Sequence, residues 1–194
     1  MFLLSTGAIV GIVIGVIILL IVIFMISSYN KLVQLRNKVR NQFSQIDVQL
    51  KKRFDLIPNL VEVAKGYAKH EGDIFGEFAK ARGLYAEASK SKDVNAMAEA
   101  EKGLSGAISR LLMVQERYPE LKADKQFNEL MTQLKECEKQ IAITRQFYND
   151  IVQKYNDKVE MFPSNIIASM FKFKLADFFQ VDSQDERKAP KVQF

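Results

Sequence analysis

The 194-residue chain is 48% hydrophobic and 26% charged, which allows one folded domain with an accessory segment and leaves little room for two independent domains. Its net charge of +5 is local: Tyr29–Arg53 holds seven basic residues against Asp47, an excess of six, so the rest is nearly neutral and offers nucleic acid no second basic face. Cys137, the only cysteine, excludes an intrachain disulfide and reads as a small core residue.

Residues 1–28 carry no ionisable side chain. From Phe2 to Ile26 only Ser5, Thr6 and three glycines interrupt the apolar run, enough for the roughly 20 helical residues that cross a hydrocarbon core of about 30 Å. A cleaved export signal has a basic start and a shorter apolar stretch, and no cysteine near the start offers a lipid anchor, so the pattern predicts a retained transmembrane helix. Lys31, Arg36, Lys38 and Arg40 follow it, and a basic flank belongs on the cytoplasmic side near anionic headgroups. The expected placement is therefore a single-pass cell-membrane protein with its N-terminus outside. Gly7, Gly11 and Gly15 lie on one helix face, where a second copy could approach closely, although glycine is also common in membrane helices.

Beyond the membrane, Leu32, Val39, Phe43, Ile46 and Leu50 recur at helical spacing. Pro58 is ill suited to a helix interior and at home in a first turn, so Asp55–Ile57 is read as a tight reversal leading into a second helix from Pro58 to about Ser89. In the alternative, Pro58 only kinks a continuous helix and the fold becomes a three-helix bundle with one very long member. Asp93 is the expected N-cap of a third helix marked by Met97, Leu104, Ile108, Leu111 and Leu112 and ended by Pro119. A fourth begins near Asp124 and keeps its period through Phe127, Leu134, Cys137, Ile141, Tyr148 and Tyr155 to Val159. No strand alternation competes with these helices. The predicted fold class is all-α: a transmembrane helix, then an antiparallel up-and-down four-helix bundle with long helices over residues 29–162.

Two blocks carry a family resemblance. "YNKLVQLRNKVRNQFSQIDVQLKKRFDLIPNLVEVAKGYAKHE", Tyr29–Glu71, resembles the signature of the LemA family, and "FPSNIIASMFKFK", Phe162–Lys174, resembles its C-terminal block. The resemblance implies a bacterial-type membrane protein with an antiparallel four-helix bundle, and it implies no catalytic mechanism. The second block departs from its glycine-containing form by placing Lys172 after Phe171.

Catalytic constellations are missing from the sequence. His70 is the only histidine, without a metal-binding spacing, and no phosphate loop or serine elbow occurs. No cofactor or metal is expected. Asp47, beside the Ile46/Leu50 stripe, needs a partner if buried; Arg53 or a backbone amide could serve, and Asp47, Arg53 and Asp55 are read as structural polar residues or a partner's polar patch. In residues 163–180, Ile166, Ile167, Met170, Phe171, Phe173, Phe178 and Phe179 either enter the membrane interface, with Lys172 and Lys174 reaching headgroups, or cap the bundle end. Residues 181–194 have the composition of a disordered tail. The expected partners are the lipid bilayer, a second copy of the chain and an unidentified membrane or cytoplasmic protein. The expected role is a scaffold, with a ligand-sensing or regulatory accessory subunit as the alternative.

Overall fold

The computed structural model describes residues 6–67, 72–91 and 93–180. Among these, all regular structure is helical: α1 (Thr6–Tyr67), α2 (Gly72–Ser91), α3 (Val94–Arg117), α4 (Pro119–Ala123), α5 (Lys125–Glu160) and α6 (Ser164–Met170). The described chain forms two compact units. One holds α1 up to Asn41 together with Asp150–Ala176, and the other holds Gln42–Asn149 together with the described residues from Asp177 onward.

Helix α1 overturns the expected reversal at Asp55–Ile57, because it runs through Pro58 to Tyr67. The cause lies in the stripe that crosses the proline. Phe54, Ile57, Leu60 and Ala64 are all buried, while Pro58 itself is exposed. An interior proline costs about 3 kcal/mol, whereas each buried leucine or isoleucine returns about 1.5–3 kcal/mol. Keeping Ile57 and Leu60 in register therefore outweighs the lost hydrogen bond. The next helix starts at Gly72, so the second expected helix is shorter than its 58–89 reading.

The later boundaries follow the local chemistry. Asp93 caps α3, its Oδ1 accepting from the amides of Asn95 (2.9 Å) and Ala96 (3.2 Å). Pro119 both stops α3 and opens α4, where its missing N–H costs nothing. Asp124 caps α5 by accepting from the amide of Phe127 at 2.8 Å. The long α5 stripe is confirmed from Phe127 to Tyr155, with Met131, Leu134, Cys137, Ile141 and Tyr148 all buried. One member of the α3 set fails: Leu112 is exposed, while Leu104 and Leu111 face inward.

In the first unit, Leu32, Leu35 and Val39 from α1, Val152 and Tyr155 from α5, and Ile167 and Ala168 from α6 form the buried apolar set. Before them lies a different surface. An 18-residue window near the start of α1 has a mean hydropathy of 3.6 and no buried residue, which makes α1 the one described helix long and apolar enough to cross a membrane.

Candidate functional site

Of the four flanking cations read from the sequence, the first unit brings two together. Arg36 and Arg40, one helical turn apart, line a groove of about 310 Å³ with Val39, Tyr155, Lys172, Phe173, Lys174, Leu175 and Ala176. Lys31 instead lines a separate recess with Lys158, and Lys38 is exposed elsewhere on the helix.

The groove's outer wall is built by the end of α6. The amide of Phe173 donates to Ala168 O (2.9 Å) and that of Lys172 to Ser169 O (3.1 Å), the paired bonds of a Schellman termination. That motif puts Lys172 in the left-handed region at φ 55°, the position where glycine is favoured. This gives the departure noted in the sequence its physical meaning. The following backbone is pinned to α5: Tyr155 Oη donates to Lys174 O (2.8 Å), and Asn156 exchanges two hydrogen bonds of 2.9 Å with Ala176. Burial pushes the Tyr155 phenol up, while Arg36 and Arg40 pull it down. The Arg36 guanidinium lies over the Phe173 ring at 5.1 Å, and its buried Nε has no hydrogen-bond partner. The Tyr29 ring packs against the same segment, with centroids 4.7 Å from Phe171 and 5.8 Å from Phe173.

The aromatic segment divides its residues. Ile167 and Phe179 are buried and Phe173 half-buried, whereas Ile166, Met170, Phe171 and Phe178 are exposed. Within the first unit, Met161, Phe162, Ile166, Met170 and Phe171 together leave a large apolar surface uncovered, Phe162 at 79% exposure. The three membrane-helix glycines also face open space, since a Cβ at Gly7, Gly11 or Gly15 would meet nothing within 4 Å.

The second unit contains a buried ion cluster. Arg53, with only 1% of its side chain exposed, places Nε 2.7 Å from Glu138 Oε1, Nη1 3.7 Å from Glu101 Oε1 and Nη2 3.0 Å from Ser105 Oγ. Arg145 adds a 3.0 Å pair to Glu101. Two cations thus meet two carboxylates across α1, α3 and α5. Burial pushes the Arg53 guanidinium down and the Glu138 carboxyl up, and each opposes the other's shift. Asp47 is not Arg53's partner: its Oδ1 accepts from Tyr85 Oη (2.8 Å) and Ser89 Oγ (3.1 Å). Asp55 is exposed and pairs with Lys51 one turn away. Sequence reasoning missed Glu101, Glu138 and Arg145. Glu101 carried a signal, since it falls on the Met97–Leu104–Ile108 stripe.

Cys137 lies in the same unit, buried, with its thiol donating to Gln49 O at 3.3 Å. Burial raises its pKa, which disfavours a thiolate nucleophile. No group of three or more potential metal ligands occurs among the described residues. His70 and the 181–194 tail lie outside them.

These features define an all-helical protein with one N-terminal helix able to span a membrane, a basic groove in the unit that holds that helix, and a charge-compensated core. The chain belongs to the LemA family, whose pattern matches residues 42–194. It is similar to Magnetosome protein MamQ 2 of Paramagnetospirillum magneticum, 27% identical over 179 aligned positions that cover 80% of this chain and 66% of the relative. Protein LemA of Metamycoplasma hominis is 25% identical over 160 positions, covering 81% of this chain and 71% of the relative. A MamQ of Magnetospirillum gryphiswaldense is 24% identical over 178 positions, with 65% of its length covered. The chain thus spans just under two thirds of the MamQ relatives.

Proposed function

We propose that this protein is a membrane-anchored helical scaffold that acts by binding other molecules rather than by catalysis. The first part of α1 is the anchor, with the N-terminus outside and the remainder cytoplasmic. In this reading the four helical stretches of the second unit, residues 42–67, α2, α3 and residues 125–149, form an antiparallel four-helix bundle. Copies associate through Gly7, Gly11 and Gly15. The single observation that carries the reading is the apolar window of α1, wholly uncovered and continuous with a charged, packed helix. At about 25 cal/mol per Å² of apolar surface, such a stretch is stable in lipid and very costly in water. The uncovered Phe162, Ile166, Met170 and Phe171 support a second interfacial contact by the same argument.

Alkaline carbonate and high salt should leave the full chain in the membrane fraction; release without detergent would refute the anchor. Protease added to sealed vesicles of known orientation should cut the 181–194 tail only from the cytoplasmic face. Gly11→Ile should reduce the crosslinked dimer severalfold, and an unchanged ladder would remove the glycine face from the proposal.

The ligand-sensing alternative has one observation in its favour, a groove of about 670 Å³ along α2 and α3, floored by Ala81, Gly103 and Ala107 and rimmed by Glu77, Glu99 and Arg110. It is open to the surface, as suits a macromolecular partner better than an enclosed small ligand.

A further inference from the structure

We propose that the turn joining α5 to α6, with Met161 and Phe162 at its tip, inserts into the bilayer beside α1, so that the first unit holds the membrane at two points. The inference rests on the anchored reading above and adds to it an order of depth among the exposed residues around α6.

Within the first unit, α5 runs back along α1. Tyr155 shares a groove with Arg36, Val39 and Arg40, whereas Lys158, about one turn later, shares a recess with Ile23, Phe24, Ile26 and Lys31. Later positions on α5 therefore face earlier positions on α1. At a rise of about 1.5 Å per residue, Met161 and Phe162 lie a further ~5 Å in that direction, level with the end of the apolar run. Packing on α1 starts at the same level: residues 7–24 are exposed, Met25 is half-buried and Ser28 is buried.

The chemistry of the turn suits that depth. "MFPSNIIASMF", Met161–Phe171, contains no ionisable side chain, while Lys158 and Glu160 precede it and Lys172 and Lys174 follow it. Phe162 at 79% and Met161 at 62% are its most exposed side chains, and they are the two that the geometry places deepest. Backbone groups that enter lipid need partners within the protein. The Met161 amide donates to Asp157 O (2.8 Å), the Met161 carbonyl accepts from the Asn165 amide and from Ser164 Oγ (2.9 Å each), and Pro163 has no N–H to satisfy.

A second copy of the chain could also cover these side chains. Continuity decides for lipid, because the turn adjoins the apolar window of α1 that the fold leaves wholly uncovered. The same geometry grades the residues that follow. Phe171 packs against Tyr29, three residues past Ile26, and so stands at about headgroup level. Leu175 is exposed and apolar too, yet it shares the groove of Val39 and Arg40, about 20 Å along the helix from Ile26 and past a headgroup layer of about 5–8 Å.

The chain contains no tryptophan, so single substitutions report depth without interference. The test places full-length Phe162→Trp, Leu175→Trp and Val16→Trp in phosphatidylcholine nanodiscs with brominated acyl chains, and separately adds iodide to the water around unbrominated discs. All three native side chains are exposed, so these variants leave the core intact. Bromine should lower the emission of Phe162→Trp about twofold or more and that of Leu175→Trp by less than about a tenth, with iodide showing the reverse order. Val16→Trp reports the anchor itself. Bromine quenching at Val16→Trp but not at Phe162→Trp overturns the inserted turn and leaves the anchor standing; quenching at neither sinks both. A Phe162→Trp that is shielded from iodide yet untouched by bromine is covered by protein, and equal quenching of Phe162→Trp and Leu175→Trp removes the order of depth; either result overturns the proposal.

Discussion

Arg53 and Arg36 stand seventeen residues apart on one continuous helix and live under opposite electrostatic rules. Arg53 is enclosed, and two carboxylates and a hydroxyl meet its nitrogens. Arg36 is half-buried, lies against the Phe173 ring and lines an open groove with Arg40, Lys172 and Lys174. Burial, and not position on the helix, decides which of the two guanidiniums the fold depends on. A desolvated guanidinium must be matched within the fold, because an isolated buried ion costs several kcal/mol. In a groove open to solvent, water screens each charge, so its pairing contributes little to stability.

The strongest way to break this comparison is to unmatch Arg53. Arg53→Met leaves Glu101 and Glu138 facing each other without their shared cation, and should cost about 3–5 kcal/mol in chemical denaturation. Arg53→Met combined with Glu101→Leu should cost less than the single change, because the orphaned charge goes with it. A strictly additive double variant would show that the cluster is a set of independent contacts. Arg36→Gln, by contrast, should move stability by less than about 1 kcal/mol.

A smaller effect comes from Tyr148, on the face of α5 that holds Asp177 and Phe179. Its hydroxyl donates to Asp177 O at 2.9 Å, and burial pushes its pKa up to about 12. The folded state therefore keeps a proton that the unfolded chain releases near pH 10. Its contribution is fully present below pH 10 and is lost as pH rises toward 12. Tyr148→Phe should be less stable by about 1 kcal/mol at neutral pH and should show a shallower loss of stability between pH 10 and 12. An unchanged alkaline slope would mean that Tyr148 ionises as freely folded as unfolded.

The sequence made the helices legible because their apolar stripes are long: the α5 period survives at every position from Phe127 to Val159, none of which is exposed. Pro58 misled because a local rule met a tertiary demand, the burial of Ile57 and Leu60 on either side of it. Lys31, Arg36, Lys38 and Arg40 read as one basic cluster in one dimension, yet helical rotation brings Arg36 and Arg40 to one groove, sends Lys31 to another recess and leaves Lys38 exposed. The partners of Arg36 across the groove could not be read at all, because a contact between residues 36 and 172 is set by how α6 returns and not by any spacing. Arg53 was visible as a charge on an apolar stripe at the helical step from Ile46 and Leu50, and Glu101 repeats that signature on α3. Two charges of opposite sign, each placed where a leucine is expected, form a pattern that can be sought in other helical sequences.

Lys172 gives the smallest effect, because its cost is confined to one backbone position. The Schellman termination of α6 needs a left-handed residue at that point, where a Cβ crowds the backbone and glycine does not. If stability alone set the residue, Lys172→Gly should gain about 1 kcal/mol, reduced by the extra freedom glycine restores to the unfolded chain. The gain is expected to exceed that loss, since the backbone bonds of Lys172 and Phe173 are unchanged and the crowding at the left-handed position is relieved. Chemical denaturation in neutral micelles should show it as a later midpoint at unchanged slope. A destabilised glycine variant would mean that the lysine side chain makes a contact within the fold worth more than the relief of that crowding.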